Sequence, residues 1–237
     1  MSVKSILKYG LCMVLVFSAY AFAGHRFEKR TVKDVTISFT DSKALFISEK
    51  NVNKLLIQNI DSVESIALEK LDLNEGELRL IDNAMIRGAE VSVSLEGKVN
   101  VLVEQRSPIA RLMLSPQVYL DEDNKMMPLS PEHTAFVPLV YGYKDSFKVK
   151  LFELINFINH DSFLKPSITQ ISFDKKGEVT LQIRAHDHEV ILGKIEDLQH
   201  KAMNYKAFIA KMKKDNRLNQ VKTIDLRYKN QVVSIKK

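Results

Sequence analysis

The sequence predicts an α+β chain in three parts. These are an N-terminal transmembrane helix, a small module of strands and two helices, and a second domain of mixed β-sheet covered by helices. Three observations carry this. An apolar run without charge, Tyr9 to Gly24, opens the chain. Two period-2 runs joined at Glu96-Gly97 follow segments of helical period. From Ile109 onward short strand-like runs dominate, interrupted by two stretches of helix-spaced apolar residues. With 45% apolar and 27% charged residues the body is globular rather than disordered. Six prolines and eight glycines in 237 residues argue against a low-complexity linker.

The N-terminal segment is close to a membrane span. Lys4 and Lys8 precede the apolar run, and with Ile6 and Leu7 counted the stretch approaches the roughly 20 residues that a spanning helix needs. Residues 5–24 are therefore expected to insert into the membrane. The alternative is a cleaved signal peptide with Ala21-Phe22-Ala23 as its small-x-small site. Either reading exports the body. The basic stretch His25 to Arg30 blunts any orientation argument from flanking charge. The single cysteine, Cys12, lies inside the run, so the body has no disulfide and no thiolate chemistry.

The module follows. Val35, Ile37 and Phe39 alternate with Asp34, Thr36 and Ser38, which predicts a strand. Ser48 is a plausible N-cap for a helix whose face is Val52, Leu55 and Leu56. Asn59 to Val63 reads as a loop. A second helix is expected between Leu73 and Asn83 with Leu78 and Ile81 inward. Ala89, Val91, Val93 and Leu95 then face Val99, Val101 and Val103 across a hairpin in which Gly97 supplies the positive φ of the turn. Leu102 is the one apolar residue on its polar side. Pro108 has no N–H to donate and ends or redirects the second strand. The order is strand, helix, helix, strand, strand.

The second domain reads as strands at Ile109–Leu114, Val118–Leu120 and Phe136–Val140, then a buried helix through Phe147, Leu151, Leu154, Ile155 and Ile158. A three-stranded meander follows at Ile168–Phe173, Val179–Arg184 and Glu189–Leu192, with Lys175-Lys176-Gly177 as its first turn. Leu198, Ala202, Tyr205, Ile209 and Met212 form the inner stripe of an amphipathic helix. Thr223 to Ile235 supplies one or two last strands, with Ile224, Leu226 and Tyr228 inward and Lys229-Asn230-Gln231 as a turn or bulge.

Residues that could carry chemistry are few. Asp121-Glu122-Asp123-Asn124-Lys125 lacks the alternating oxygen spacing and distal Glu of a calcium loop and reads as a polar hairpin turn. His186-Asp187-His188 puts two imidazoles on one strand face but has no third ligand at a recognisable spacing, so it reads as a strand-end turn with solvated histidines. Ser107, Ser115 and Ser130 lack a G-x-S-x-G context, and neither a P-loop, G-x-G-x-x-G nor H-E-x-x-H occurs. The sequence predicts no catalytic residue, no cofactor, no metal and no enzyme. Charge is unevenly spread. Residues 201–237 hold eleven Lys/Arg against two Asp, a net of +9, whereas residues 31–200 carry a net of −7. A basic end on an exported body suits an acidic protein or an anionic surface; the plain reading of Lys211, Lys213 and Lys214 is a solvated helix face. Nucleic acid is not expected as a partner, because no basic-aromatic stacking pattern occurs and the body is exported.

The hairpin AEVSVSLEGKVNVLVEQRSPIARL, placed after two short helices and an N-terminal apolar segment, resembles the FtsQ/DivIB family of bacterial cell-division proteins. The forms MIRGAEV, VEQRSPIAR, MPLS, FVPLVYG and IDLRYKNQVV look most like the version from Bacteroidetes-type bacteria. The resemblance runs from the apolar segment to about Val233. It implies a cytoplasmic tail and anchor at residues 1–30, a POTRA-like βααββ domain at 31–106 that serves as a docking surface, and a C-terminal β-domain at 107–237. It implies a single-pass inner-membrane protein with a periplasmic body at the division septum. Such a scaffold would bind FtsB/DivIC-like and FtsL-like proteins and help control septal peptidoglycan synthesis. A POTRA-bearing secretion or outer-membrane assembly component is the alternative. Those continue into a long β-barrel, and the residues after the module lack repeated lipid-facing strands. A terminal strand without a following element is expected at a sheet edge, guarded by Lys236 and Lys237. In the family, the segment like IDLRY and the strand after it receive the FtsB-type partner by strand addition. Carried over, Arg227 pairs with a partner carboxylate, Tyr228 gives flat contact area, and Lys229, Asn230, Gln231, Val232 and Val233 form the strand edge. The chain has no tryptophan, so an aromatic anchor placed after that strand in the family is missing here.

Overall fold

The computed structural model describes residues 3–28, 31–40, 46–56, 72–94, 96–184, 188–229 and 231–237. The chain divides into two compact units, Met1–Gln105 and Arg106–Lys237.

The first unit opens with α1 (Val3–Glu28), whose described side chains from Lys8 to Phe22 are all exposed. Among the described residues no helix is long and apolar enough to cross a membrane, so the spanning helix expected at residues 5–24 is not found there. The unit continues through β1 (Asp34–Phe39), α2 (Glu49–Leu56), α3 (Leu73–Ile81), β2 (Ile86–Val93) and β3 (Lys98–Gln105). This is the strand-helix-helix-strand-strand order that the patterns predict. The sheet order is β1-β3-β2, with β1 parallel and β2 antiparallel to β3. The register aligns Ile37, Val101 and Val91 in one row and Val35, Val99 and Val93 in the next, so the period-2 residues of three strands share one face. Gly97 takes φ 87° at the hairpin turn; Leu95 lies outside the described residues.

Capping fixes the two helices. Ser48 Oγ accepts from Asn51 N–H, and Asp72 accepts from Glu75 N–H at 3.0 Å. One inward assignment fails. Leu78 and Ile81 are exposed, and α3 instead turns Gly76 and Leu80 inward. Gly76 explains the rotation: a Cβ there would sit 3.1 Å from Leu56 Cδ1, so the hydrogen atom permits the α2–α3 approach that larger residues would block. The loop expected at Asn59–Val63 lies outside the described residues.

The second unit is a nine-stranded mixed sheet of order β12-β11-β10-β9-β8-β7-β4-β5-β6. Its elements are β4 (Pro108–Leu112), β5 (Val118–Asp121), β6 (Met126–Pro128), β7 (Leu139–Tyr141), α4 (Lys148–His160), β8 (Ile168–Phe173), β9 (Val179–Ile183), β10 (Glu189–Gly193), α5 (Leu198–Lys214), β11 (Val221–Asp225) and β12 (Val233–Lys236). The expected strand at Phe136–Val140 shortens to Leu139–Tyr141, and Phe136 stands 94% exposed in the loop before it. Met126–Pro128, not assigned from sequence, pairs with β5.

Both helices are crossovers between parallel neighbours, β7-α4-β8 and β10-α5-β11. Strands β7, β8, β10 and β11 run in one direction, and both crossovers step toward β12. Right-handed connections then place both helices on the same face of the sheet. That face carries an apolar row across six strands: Leu112, Val140, Ile171, Leu181, Val190 and Ile224, all buried. Against it pack Leu151, Leu154, Ile155 and Ile158 from α4 and Ala202, Tyr205 and Ile209 from α5. The row of the opposite face is polar: Gln170, Gln182, Glu189 and Thr223.

Candidate functional site: the β11–β12 sheet edge

The sheet has two free edges, and they differ. On one side β6 has three residues and ends at Pro128, which has no N–H to offer. On the other side β12 is exposed along all four residues. The pairing of β11 shows which backbone groups of β12 are spare. Leu226 N–H donates to the Ile191 carbonyl at 2.9 Å, so Ile224 and Leu226 turn their backbone groups toward β10, and Thr223 and Asp225 turn theirs toward β12. Their partners Ile235 and Val233 therefore point inward. Ser234 and Lys236 point their N–H and C=O groups outward.

The approach to this edge is built around Asp225 and Arg227. The expected strand through Tyr228 ends at Asp225, because Arg227 folds back on it. Arg227 N–H and Nε both donate to Asp225 Oδ1 at 3.0 Å, and Nη2 donates to Oδ2 at 2.7 Å. Glu178 Oε2 lies 3.7 Å from Nη1. The hydrogen bond from Arg227, opposed by partial burial, holds the Asp225 carboxyl below the usual carboxylate range. The stem of Arg227 lies over Gly193 (φ 71°), where a Cβ would come within 2.6 Å of Cγ. The guanidinium that sequence reasoning assigned to a partner's carboxylate thus already holds one of its own, while remaining 45% exposed.

The other expected site residues separate into two groups. Tyr228 is about half exposed and Lys229 is exposed, with its carbonyl accepting from Asn204 Nδ2 on α5. Both lie in the turn after β11. Asn230 is outside the described residues, Gln231 is exposed, and Val232 packs against the core. The strand itself begins only at Val233, so the edge expected over Lys229–Val233 shifts to Val233–Lys236. The terminal edge strand expected to run to Ile235 is present, but Ser234, Ile235 and Lys236 were not among the residues assigned to receive a partner.

The remaining chemical candidates resolve structurally. Asp121 does close the β5–β6 hairpin turn: it is 1% exposed, accepts from Asp123 N–H at 3.0 Å and Lys125 N–H at 2.6 Å, and pairs with Arg106 at 2.9 Å. His188 is not solvated but fully buried, and its Nε2 shares a hydrogen bond of 3.2 Å with Tyr205 Oη. His186 lies outside the described residues. His188 is buried because it stands just before β10 against Tyr205 of α5. Lys201, placed by no sequence pattern, is buried and donates to the Leu192 and Lys194 carbonyls at 3.0 and 2.7 Å. Desolvation pushes its pKa down. Among the described residues no group of three or more His, Cys, Asp or Glu is placed to hold a metal ion.

The second unit is thus a mixed sheet with one short edge ending in proline, one open edge and two helices covering a single face. A family model described as FtsQ/DivIB, C-terminal related, matches residues 107–235, more than half of the chain. The chain belongs to this family and is a cell-division protein. A comparison with the curated proteins found no match.

Proposed function

We propose that this protein is a membrane-anchored divisome scaffold that receives a partner strand along β12, in the manner of strand addition. One observation carries the reading: β12 ends a nine-stranded sheet with all four residues exposed, and its Ser234 and Lys236 backbone groups are turned outward. Family membership supports FtsB/DivIC-like and FtsL-like proteins at the septum as the partners, with control of septal peptidoglycan synthesis as the outcome. The first unit's βααββ order supports a POTRA-like docking module. For the anchor, the support is the uncharged apolar run Tyr9–Gly24 within α1, together with family membership. The apolar side chains of α1 from Leu11 to Phe17 are exposed. In this reading Tyr228 lines the entry to the edge, and Arg227 braces the turn that presents it.

Two proline substitutions test the strand addition. Ser234→Pro removes an outward N–H and blocks a partner strand, but leaves the β11 bonds intact. Ile235→Pro removes an inward N–H and loosens β12 itself. Expected for Ser234→Pro is loss of co-purification with the DivIC-like partner at an unchanged thermal melt. Binding retained by Ser234→Pro would refute the edge as the receiving site.

A further inference from the structure

We infer that the partner received along β12 carries an acidic segment where it passes the C-terminal end of that strand, and that a basic pole of this chain recognises it. The inference rests on the proposed reading of β12 as the receiving edge. Three elements converge at that end of the sheet. The last turn of α5 contributes Lys211, Lys213 and Lys214. The chain then turns tightly, with Asn216 N–H donating to the Lys213 carbonyl and Arg217 N–H to the Met212 carbonyl, which holds Arg217 against the helix end. Gln220 N–H donates to the Arg217 carbonyl, and the Gln220 carbonyl accepts from Lys237 N–H at 2.8 Å, so the end of β12 is tied to the same turn. Lys236 pairs with Val221, next to Lys222.

The six cations Lys211, Lys213, Lys214, Arg217, Lys222 and Lys236 are all exposed, and none has an ion pair among the described residues. Asp215 is the one acid within the turn. The C-terminal dipole of α5 offsets about half a charge and leaves the pole strongly positive. The other basic groups near the edge behave differently: Arg227 is engaged by Asp225 and Glu178, and Lys206 by Asp161. Exposed cations without an ion pair thus gather mainly at the C-terminal end of the open strand, with Lys229 exposed at the other end. The net −7 of residues 31–200 shows that this is not a uniformly basic surface. A strand added to β12 must leave the sheet at one end past this pole, where carboxylates would be drawn in and the register of the added strand set.

The test uses the full chain in detergent and the extracytoplasmic segment of its DivIC-like partner, with affinity measured from about 50 to about 300 mM NaCl. The variant Lys213→Glu, Lys214→Glu, Arg217→Glu changes exposed side chains only. Expected is a loss of at least about tenfold in affinity at low salt and a flattened salt dependence. An unchanged affinity and salt slope overturns the inference while leaving the edge reading intact, provided Ser234→Pro still abolishes binding. Binding that survives Ser234→Pro sinks the edge reading itself. Loss of binding to phosphatidylglycerol vesicles with partner affinity unchanged would also overturn the inference, and would give the pole to the membrane surface.

Discussion

Replacing Tyr205 with Phe should narrow, and then close, a stability gap as the solution becomes alkaline. Tyr205 is 4% exposed beneath α5, and burial pushes its phenol from 10.0 up to about 12. The folded chain therefore keeps this proton between pH 10 and 12, where the unfolded chain releases it. A folded state that binds more protons loses stability as pH rises through that window. At about 1.4 kcal/mol per pKa unit the wild type loses about 1.4 kcal/mol by pH 11 and about 2.3 kcal/mol by pH 12 from this one group. Phe has no proton to release. Near pH 8 the variant starts lower, because it gives up the 3.2 Å hydrogen bond with His188, a loss of about 1 kcal/mol. For a chain of this size that is about 2–4 °C in Tm. Thermal melts of both proteins from pH 8 to 11 should therefore converge near pH 11. Tyr143, also raised to about 12 by burial and by Asp145, is common to both proteins and cancels in the comparison. A gap that stays constant across the whole range would refute the assignment of a buried, protonated phenol.

Three further outcomes follow from the packing. Gly142 has φ 67°, and a Cβ would stand 2.2 Å from the Phe173 carbonyl oxygen, so Gly142→Ala should cost at least about 2 kcal/mol in urea melts. Asp121→Ala leaves Arg106, whose side chain is 10% exposed, without its nearest carboxylate and opens two turn N–H groups; a loss of about 3 kcal/mol is expected by the same assay. Arg227→Glu sets a third carboxylate against Asp225 and Glu178. The melt should fall, and the acid limb of the stability curve should change. In the wild type the contribution of Asp225 is present above the ordinary Asp range and is lost as pH falls through its depressed folded value; in the variant that protection should vanish.

That last outcome departs from what the sequence alone supports. From IDLRY one expects Arg227 to be free, so that charge reversal would leave the melt unchanged. The alternation in Asp225-Leu226-Arg227 does place the carboxylate and the guanidinium on one face, but whether the strand continues or folds back depends on a neighbour far away in sequence. Gly193 is that neighbour, since only a residue without Cβ lets the arginine stem lie flat. The legible parts were those set by local period: all three strands of the first unit, the meander, the inner stripe of α5 and the hairpin turn at Gly97. The misread parts were set by partners. Leu78 and Ile81 look inward by spacing, yet the approach of α2 at Gly76 rotates α3 away from them. His188 reads as the end of a turn because nothing in its own segment announces Tyr205 above it.

The edges of the two sheets are protected against stray pairing in different ways. An open strand edge is a hazard, because any extended segment can bond to it. In the first unit, β2 faces outward, and the carboxylate of Glu77 on α3 accepts the Val91 N–H at 2.8 Å, occupying a group that a foreign strand would use. In the second unit, β6 is cut short at Pro128. At β12 neither device is present: no side chain from the described residues bonds the outward N–H of Ser234 or Lys236, and no proline interrupts the strand. What guards this edge is charge alone. Two copies of the chain meeting edge to edge in antiparallel fashion would each bring Lys236 to the other's Val233 end, where Lys229 is also exposed. Like charges would then face each other at both ends of the pair. A strand with carboxylates near the pole meets no such repulsion. Under the proposed reading, charge therefore does what the proline and the glutamate do elsewhere, but selectively: it discourages a second copy and admits an acidic strand.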